Sequence, residues 1–311
     1  MAEILYLLLP DRDHCRDIGS KVFSRWMARA EPLAHTVTGY LATLGGCFNW
    51  GPGPMPVAAL LRQYALGEAA DNIWICADPA YVQPDMGGAR MLACSGFDLT
   101  DTEVGALSRV LKPLFGDAGL LLETTSSEHW QLRLPKNRPL PDFDPPEQVL
   151  GDSLLAHLPE GRYARSWQAL FNEVQLVLHQ HPVNRARQQQ GVWPVNCLWF
   201  WGAGALPLQV STQLDWAMGE DTKLLALASQ AGVPCYRQVD MHHHFGEDLA
   251  GNGLIDCTQL CSNDLGQSWQ WAMTWLHAAR KRELHGLGVD GRRWRLRSRD
   301  RFRFWRRGGE A

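Results

Sequence analysis

No stretch of the 311 residues approaches the roughly 20 apolar positions that a membrane helix needs. The opening MAEILYLLLPDRD holds six consecutive apolar residues, Ile4 to Leu9, has no basic start and runs into acid. It is therefore expected to be neither a signal peptide nor a membrane span. The chain also lacks a G-x-S-x-G and a P-loop, which leaves the common hydrolase and nucleotide-binding readings unsupported. The cysteine spacings of a closed zinc site are missing as well. The eight cysteines, at 15, 47, 76, 94, 197, 235, 257 and 261, are scattered, several inside apolar runs such as IWICA and NCLWF. This usage reads as reduced, buried thiols in a cytoplasmic protein.

What is present is a globular composition, 45% hydrophobic and 20% charged, with an excess of tryptophan, 14 in all. The length suits one large α/β domain or two modest ones. Charge is uneven. From Arg280 onward 12 Lys/Arg face 4 Asp/Glu, so a tail of +8 follows a body of −11 in a chain of net −3.

Ile4 to Leu9 reads as a buried strand closed by Pro10, and residues 15–30 as a helix. GGCFNWGPGPMP (45–56), with three prolines and four glycines, is loop, and 57–66 is helical. IWICADP and ARMLACSGF read as strands. Thr100 and Glu103 form a T-x-x-E capping box ahead of the stripe Val104, Leu107, Leu111 and Leu114, and GLLLETT and HWQLRL are two further strands. The block is a compact α+β unit, ended by the five prolines of PKNRPLPDFDPPEQ. A helix follows with Tyr163, Trp167, Leu170, Val174 and Val177 on one face, stopping near His181 because Pro182 disfavours helix there. Asn184 caps the turn RARQQQ, which Gly191 closes. VNCLWFW is an interior strand. A helix at 222–231, strands at VPCYR and GLIDC, and a helix over 266–283 complete an alternation that predicts a wound, mostly parallel α/β sheet.

Several motifs carry candidate chemistry. Gly202 and Gly204 end a strand, where open α/β sheets bind ligands, although a tight turn after a core strand reads the same. His181, Asn184, Arg185 and Arg187 precede that strand and suit a carboxylate or phosphate, as would a solvated helix end. In DMHHHFGED (240–248), Asp240, His242 and His244 are weak metal candidates set against a plain polar loop. GLGVDG (286–291) matches G-x-G-x-x-G but does not open a helix, so no dinucleotide site is expected. In RRWRLRSRDRFRFWRR (292–307), arginines occupy one parity and Trp294, Leu296, Phe302 and Phe304 the other. That is a half-buried hairpin turning near Asp300, with an Arg face free to meet acidic surface, a partner or nucleic acid.

Taken together, His181-Pro182-Val183-Asn184, Arg187, Gly191, Pro194, Asn196, Trp199, Trp201, Gly202 and Gly204 form a pattern. It resembles a signature of the archaeal-type cofactor-independent phosphoglycerate mutases of the alkaline phosphatase superfamily. It resembles more closely the bacterial RpfE-type regulatory proteins, phosphoglycerate-mutase-like chains to whose Trp-rich ending FRFWRR is also similar. The resemblance covers roughly 160–240 and extends to 73–134 as the family's cap. It implies a sheet of alkaline-phosphatase-like type with an inserted α+β cap and a C-terminal β-hairpin. The domains would then be 1–70 with 150–283 as core, 71–135 as cap, 136–149 as linker and 284–311 as hairpin.

The mutases use two divalent metals and a phosphoryl-carrying serine, with Asp and His ligands from both ends of the chain. This sequence departs from that pattern. Its first strand gives Leu9-Pro10-Asp11-Arg12-Asp13 in place of Asp-Gly, no nucleophilic serine follows, and the strand at 253–257 leads to Asp256, Cys257, Cys261 and Asp264 without a histidine. The expectation is a catalytically degenerate regulatory protein, with no catalytic residue assigned and no cofactor. It would bind a small anionic metabolite or a regulatory protein through His181, Asn184, Arg187, Asn196, Trp199, Trp201, Gly202 and Gly204. The alternatives are an active mutase or phosphatase using Mn or Zn on a site rebuilt from Asp11, Asp240, His242 or His244, and a nucleic-acid contact through the Arg tail. Oligomeric state is left open.

Overall fold

The computed structural model describes residues 3–11, 28–69, 71–85, 88–136, 138–140, 142–161, 163–237, 250–259 and 282–303. The helices expected at 15–30 and 266–283 lie almost wholly outside these residues, as do Asp240, His242, His244 and FWRR. In chain order the early strands are β1 (Ile4–Leu9), β2 (Glu31–Leu33), β3 (Phe48–Asn49), β4 (Ile73–Asp85), β5 (Gly88–Cys94), β6 (Leu121–Thr124) and β7 (Trp130–Leu134). They are followed by β8 (Cys197–Ala205), β9 (Ser211–Thr212), β10 (Trp216–Met218), β11 (Cys235–Tyr236), β12 (Gly253–Asp256), β13 (Glu283–Gly288) and β14 (Arg293–Leu296). The helices are α1 (Tyr40–Gly45), α2 (Val57–Leu66), α3 (Asp101–Asp117), α4 (Pro146–Val149), α5 (Ala164–His179), α6 (Pro182–Gln189) and α7 (Thr222–Ala231). The described chain divides into two compact units, 1–51 with 209–311, and 52–208.

The first unit holds the wound, mostly parallel sheet that the alternation predicts. Its order is β11-β10-β12-β1-β13-β14-β2, and the first five strands are mutually parallel neighbours. β1 and β12 lie at its centre. Such strands are covered on both faces, which is why ILYLLL and GLID read as near-continuous apolar runs, with Leu5, Leu8, Leu254 and Ile255 buried. Gly253 is required on packing grounds, because a Cβ there would fall inside the Trp216 indole on neighbouring β10. After β10 the chain enters α7, capped by the Asp221 carboxylate on the Lys223 N–H at 2.8 Å and stopped by Gly232 at φ +70°.

The C-terminal hairpin exists but is displaced from its expected position. Its strands are β13 and β14, and its turn is Val289–Arg292 rather than Asp300. GLGVDG therefore spans a strand end and a hairpin turn, with Gly291 at φ +82°. β13 also pairs in parallel with β1, so the hairpin continues the main sheet. The arginine parity holds over β14, where Arg295 and Arg297 contact Glu31 and Glu283 within the same unit. It fails at Phe302, which is exposed because residues 298–302 turn into a short 3-10 helix.

The second unit is an inserted α+β block, larger than the sequence suggests. Its 13-residue central strand β4 pairs antiparallel with β7 over 73–76, with β5 over 80–85, and with β8 over 73–80. This last pairing corrects two expectations. Residues 150–208 group with the α+β block instead of the parallel core, and Gly202 and Gly204 do not lie at the carboxyl edge of a parallel sheet. The Thr100 capping box forms in full, with the Glu103 N–H on Thr100 Oγ1 and the Thr100 N–H on Glu103 Oε2. Trp74, Trp130, Trp167, Trp199, Phe115 and Phe200 are fully buried. Arg62 lies 4.4 Å over the Trp74 ring and is paired with Glu123 at 2.5 Å and Glu68 at 3.1 Å, so its buried charge is compensated.

The glycines closing β8 let α2 approach. Gly202 sits at φ +61°, and a Cβ there would lie 2.8 Å from Val57 Cβ; one on Gly204 would lie 2.6 Å from Pro56 Cβ. Substitution Gly202→Ala combines left-handed strain with overlap against α2 and is expected to cost about 1–3 kcal/mol. Urea denaturation reads this as a lower midpoint; an unchanged midpoint would show that the approach of α2 does not depend on the glycine.

Candidate functional site

Open α/β sheets present ligand-binding groups at the carboxyl ends of their parallel strands. In the first unit that edge carries Asp11 after β1, Glu220 and Asp221 after β10, Arg237 after β11 and Asp256 at the end of β12. Asp256 is the buried member, 7% exposed. Its Oδ2 accepts the Tyr40 hydroxyl at 2.7 Å, and its Oδ1 accepts both the N–H and the hydroxyl of Thr258, at 2.9 and 2.6 Å. The Thr258 pair is a local Asx-type turn, available to any Asp-x-Thr leaving a strand. Tyr40 opens α1 and reaches across 216 residues of sequence. Gly219 leaves room for the arrangement, since a Cβ there would lie 2.8 Å from Asp256 Cβ.

Beside this buried carboxyl stands an ion pair. Lys223 Nζ is 2.9 Å from Asp221 Oδ2 and lies 5.5 Å over the Tyr40 ring, while Gln259 Nε2 reaches the same Asp221 oxygen at 3.5 Å. Asp221 also holds the N-terminus of α7, where the helix dipole favours negative charge. Burial pushes the Asp256 carboxyl above its usual range; the hydrogen bonds from Thr258 and Tyr40 pull it back, and the Asp221 charge adds to the rise. Burial and the neighbouring Asp256 push the Tyr40 phenol well above 10. Burial, followed by Asp256 and Glu220, pushes the Cys235 thiol up to about 12, which keeps it a thiol and a poor nucleophile at neutral pH.

Among the described residues the edge supplies carboxylates, as a divalent ion would require, but that donor set does not fit one. Both oxygens of Asp256 are engaged by hydroxyl and amide donors, and the Asp221 carboxylate already holds an ammonium group whose charge opposes a second cation. Among the described residues no three His, Cys, Asp or Glu side chains are arranged to hold a metal. Asp11 is exposed, two residues beyond β1; Asp240, His242 and His244 are outside the described residues.

The signature residues fall in the second unit, and their polar groups are bound by the fold. His181 caps α6, its Nδ1 accepting the Val183 N–H at 3.3 Å, and burial lowers its pKa. Asn184 donates to Leu178 O and Val195 O at 2.7 and 2.6 Å and accepts the Val195 N–H at 2.9 Å. The Arg187 guanidinium donates to Trp193 O, Glu103 Oε1 and Phe97 O at 2.9, 3.0 and 2.6 Å. Asn196 makes a two-way pair with the Val82 backbone at 2.8 and 2.7 Å. The indoles of Trp199 and Trp201 donate to Asp144 O and Asp78 Oδ2, at 2.9 and 2.7 Å. The structure thus brings the signature together as a clasp around β8. Tyr40, Asp221, Lys223, Cys235 and Thr258 were not singled out from the sequence; only the D-T-K and D-x-T steps at strand ends carried a local signal.

No family model matches the chain. Over 67 residues it is 43% identical to a probable 2,3-bisphosphoglycerate-independent phosphoglycerate mutase of Geobacter sulfurreducens, a segment amounting to 22% of this chain and 17% of that enzyme. Over 63 residues it is 36% identical to the corresponding mutase of Methanothrix thermoacetophila, covering 20% and 16%. A solved cofactor-independent phosphoglycerate mutase from Thermoplasma acidophilum aligns over 95% of this chain and 89% of its own at 13% identity, with a TM-score of 0.41. Over that short segment, therefore, the sequence is phosphoglycerate-mutase-like, and the match spans about a sixth of the length of the mutases.

A carboxyl held above its ordinary range favours the folded state while protonated and loses that contribution as pH rises through its folded value. Asp256→Asn is therefore expected to gain stability relative to the unmodified chain as pH rises above the ordinary 3.8. Urea midpoints across pH check this; parallel profiles for the two proteins would contradict it.

Proposed function

We propose that this chain is a phosphoglycerate-mutase-like regulatory protein of the RpfE type. In this reading it acts in the cytoplasm and binds a small anionic metabolite or a partner protein without transferring a phosphoryl group. The observation that carries the reading is the state of Asp256. It ends a central parallel strand, where the resemblance expects a metal ligand, yet Tyr40 and Thr258 take up both of its oxygens. A metal-dependent site needs a carboxylate with an oxygen available there.

With the polar groups of Asn184, Arg187 and Asn196 bound within the fold, the proposed ligand face is the carboxyl edge of the parallel sheet. Lys223 stands there beside the positive end of α7, its side chain 23% exposed. The six cysteines among the described residues are thiols and not disulfides, in keeping with a reducing compartment. No helix among the described residues is long and apolar enough to cross a membrane.

The test is direct. Purified protein is assayed for metal content, for phosphoglycerate interconversion with added Mn or Zn, and for a tryptophan fluorescence change on titration with 3-phosphoglycerate. The expected outcome is no stoichiometric metal, no turnover and a saturable fluorescence change that Lys223→Ala weakens. Two metals per chain with mutase turnover would overturn the proposal in favour of a site rebuilt on residues such as Asp240, His242 and His244.

A further inference from the structure

The second unit contains a titratable cluster that the proposed function does not use, on the segment from Asp142 to His157. The sequence presents much of this segment as a proline-rich linker, but it is anchored at several points. Phe143 is buried edge-to-face against Trp167, Trp199 and Phe200, each ring centroid 5.7 Å away. The Asp144 carbonyl accepts the Trp199 indole N–H. Further along, the Gly151 N–H donates to Met91 O, and Arg90 Nη1 donates to Gly151 O at 3.0 Å.

The segment closes on itself through His157, whose side chain is 13% exposed. Nδ1 is 2.7 Å from Asp144 Oδ2, and Nε2 is 3.2 Å from Asp152 Oδ2. The charged groups around it are these two aspartates and, from β5, Arg90, which acts on Asp152 and is itself paired with Asp85 of β4 at 3.0 Å. A neutral imidazole has one N–H and one lone pair, so it can donate to only one of two flanking carboxylates and turns its lone pair on the other. Only the imidazolium donates to both.

We propose that His157 is a proton-operated latch: as an imidazolium it ties Asp144 to Asp152 and holds the 142–157 strap over the Phe143, Trp167, Trp199 and Phe200 cluster, and on losing its proton it releases the strap. The electrostatics agree. The hydrogen bond that His157 donates to Asp144 raises the His157 pKa above 6.5 against the opposing effect of burial, with Asp152 adding to the rise. The Ser153 N–H and then His157 lower that of Asp152. The sign follows from linkage: the histidine contribution is complete below the ordinary 6.5 and is lost as pH rises through the raised value. On the acid side the latch persists until pH falls through the depressed Asp152 value. The device is independent of the ligand reading above.

Hydrogen exchange of the full chain, followed by mass spectrometry and corrected for intrinsic exchange rates, reads the strap directly. Protection of 142–157 is expected to fall from mildly acidic to mildly alkaline pH, while β12 is unchanged. His157→Asn removes the pH dependence and leaves protection low throughout. Asp152→Asn, an exposed change that leaves the aromatic anchors intact, moves the fall to lower pH. Protection that does not vary with pH, a fall that persists in His157→Asn, or an unmoved fall in Asp152→Asn would each overturn the latch.

Discussion

A single buried amide fixes the path of the second unit. Asn184, 1% exposed, stands in the first turn of α6 and binds the last turn of α5 at Leu178 and the approach to β8 at Val195. Two hydrogen bonds donated and one accepted by a single side chain thus join a helix end, a helix start and a strand entry. Where β8 enters determines its register against β4, and β4 is the strand on which β5, β7 and β8 all depend. Arg187 and Asn196 extend the same arrangement, one to the α3 capping box through Glu103 and one to β4 at Val82. Buried polar groups of this kind contribute modestly when satisfied and are costly when left alone, so they specify one path for the chain more than they deepen its stability.

The first unit follows a different principle. Its central strands are apolar on both faces, and the polar groups collect where the parallel strands end. At that edge burial and hydrogen bonding oppose one another on Asp256, and burial prevails. The neighbouring Asp221 is neutralised by Lys223 and by the helix it caps. The edge is thereby balanced by its own hydroxyls and ammonium group, which ties the folding chemistry to the proposal of a binding protein without metal-dependent transfer.

Local chemistry was legible in the sequence. The Thr100–Glu103 box, the α5 stripe through Trp167, Leu170 and Val174, the buried β1 and the Gly232 stop all follow from spacing that neighbouring residues dictate. Partner choice was not. VNCLWFW has the bulk of an interior strand whether its neighbour runs parallel or antiparallel, so β8 was expected in the wrong sheet. Nothing within GLGVDG shows that β13 finds β1 some 280 residues away. The candidate site was hidden for the same reason. Tyr40 and Asp256 meet only through the fold, and a tyrosine opening a six-residue helix carries no signal of its own.

The visible work of the signature residues is to hold β8 in place. The most direct test is urea denaturation of Asn184→Ala with circular dichroism detection. The substitution strands both backbone groups of Val195 in a buried setting, while Leu178 O keeps the His181 N–H, and a loss of about 2 kcal/mol or more is expected. A variant as stable as the unmodified chain would contradict the assignment of Asn184 to the fold and return the signature to consideration as a ligand contact.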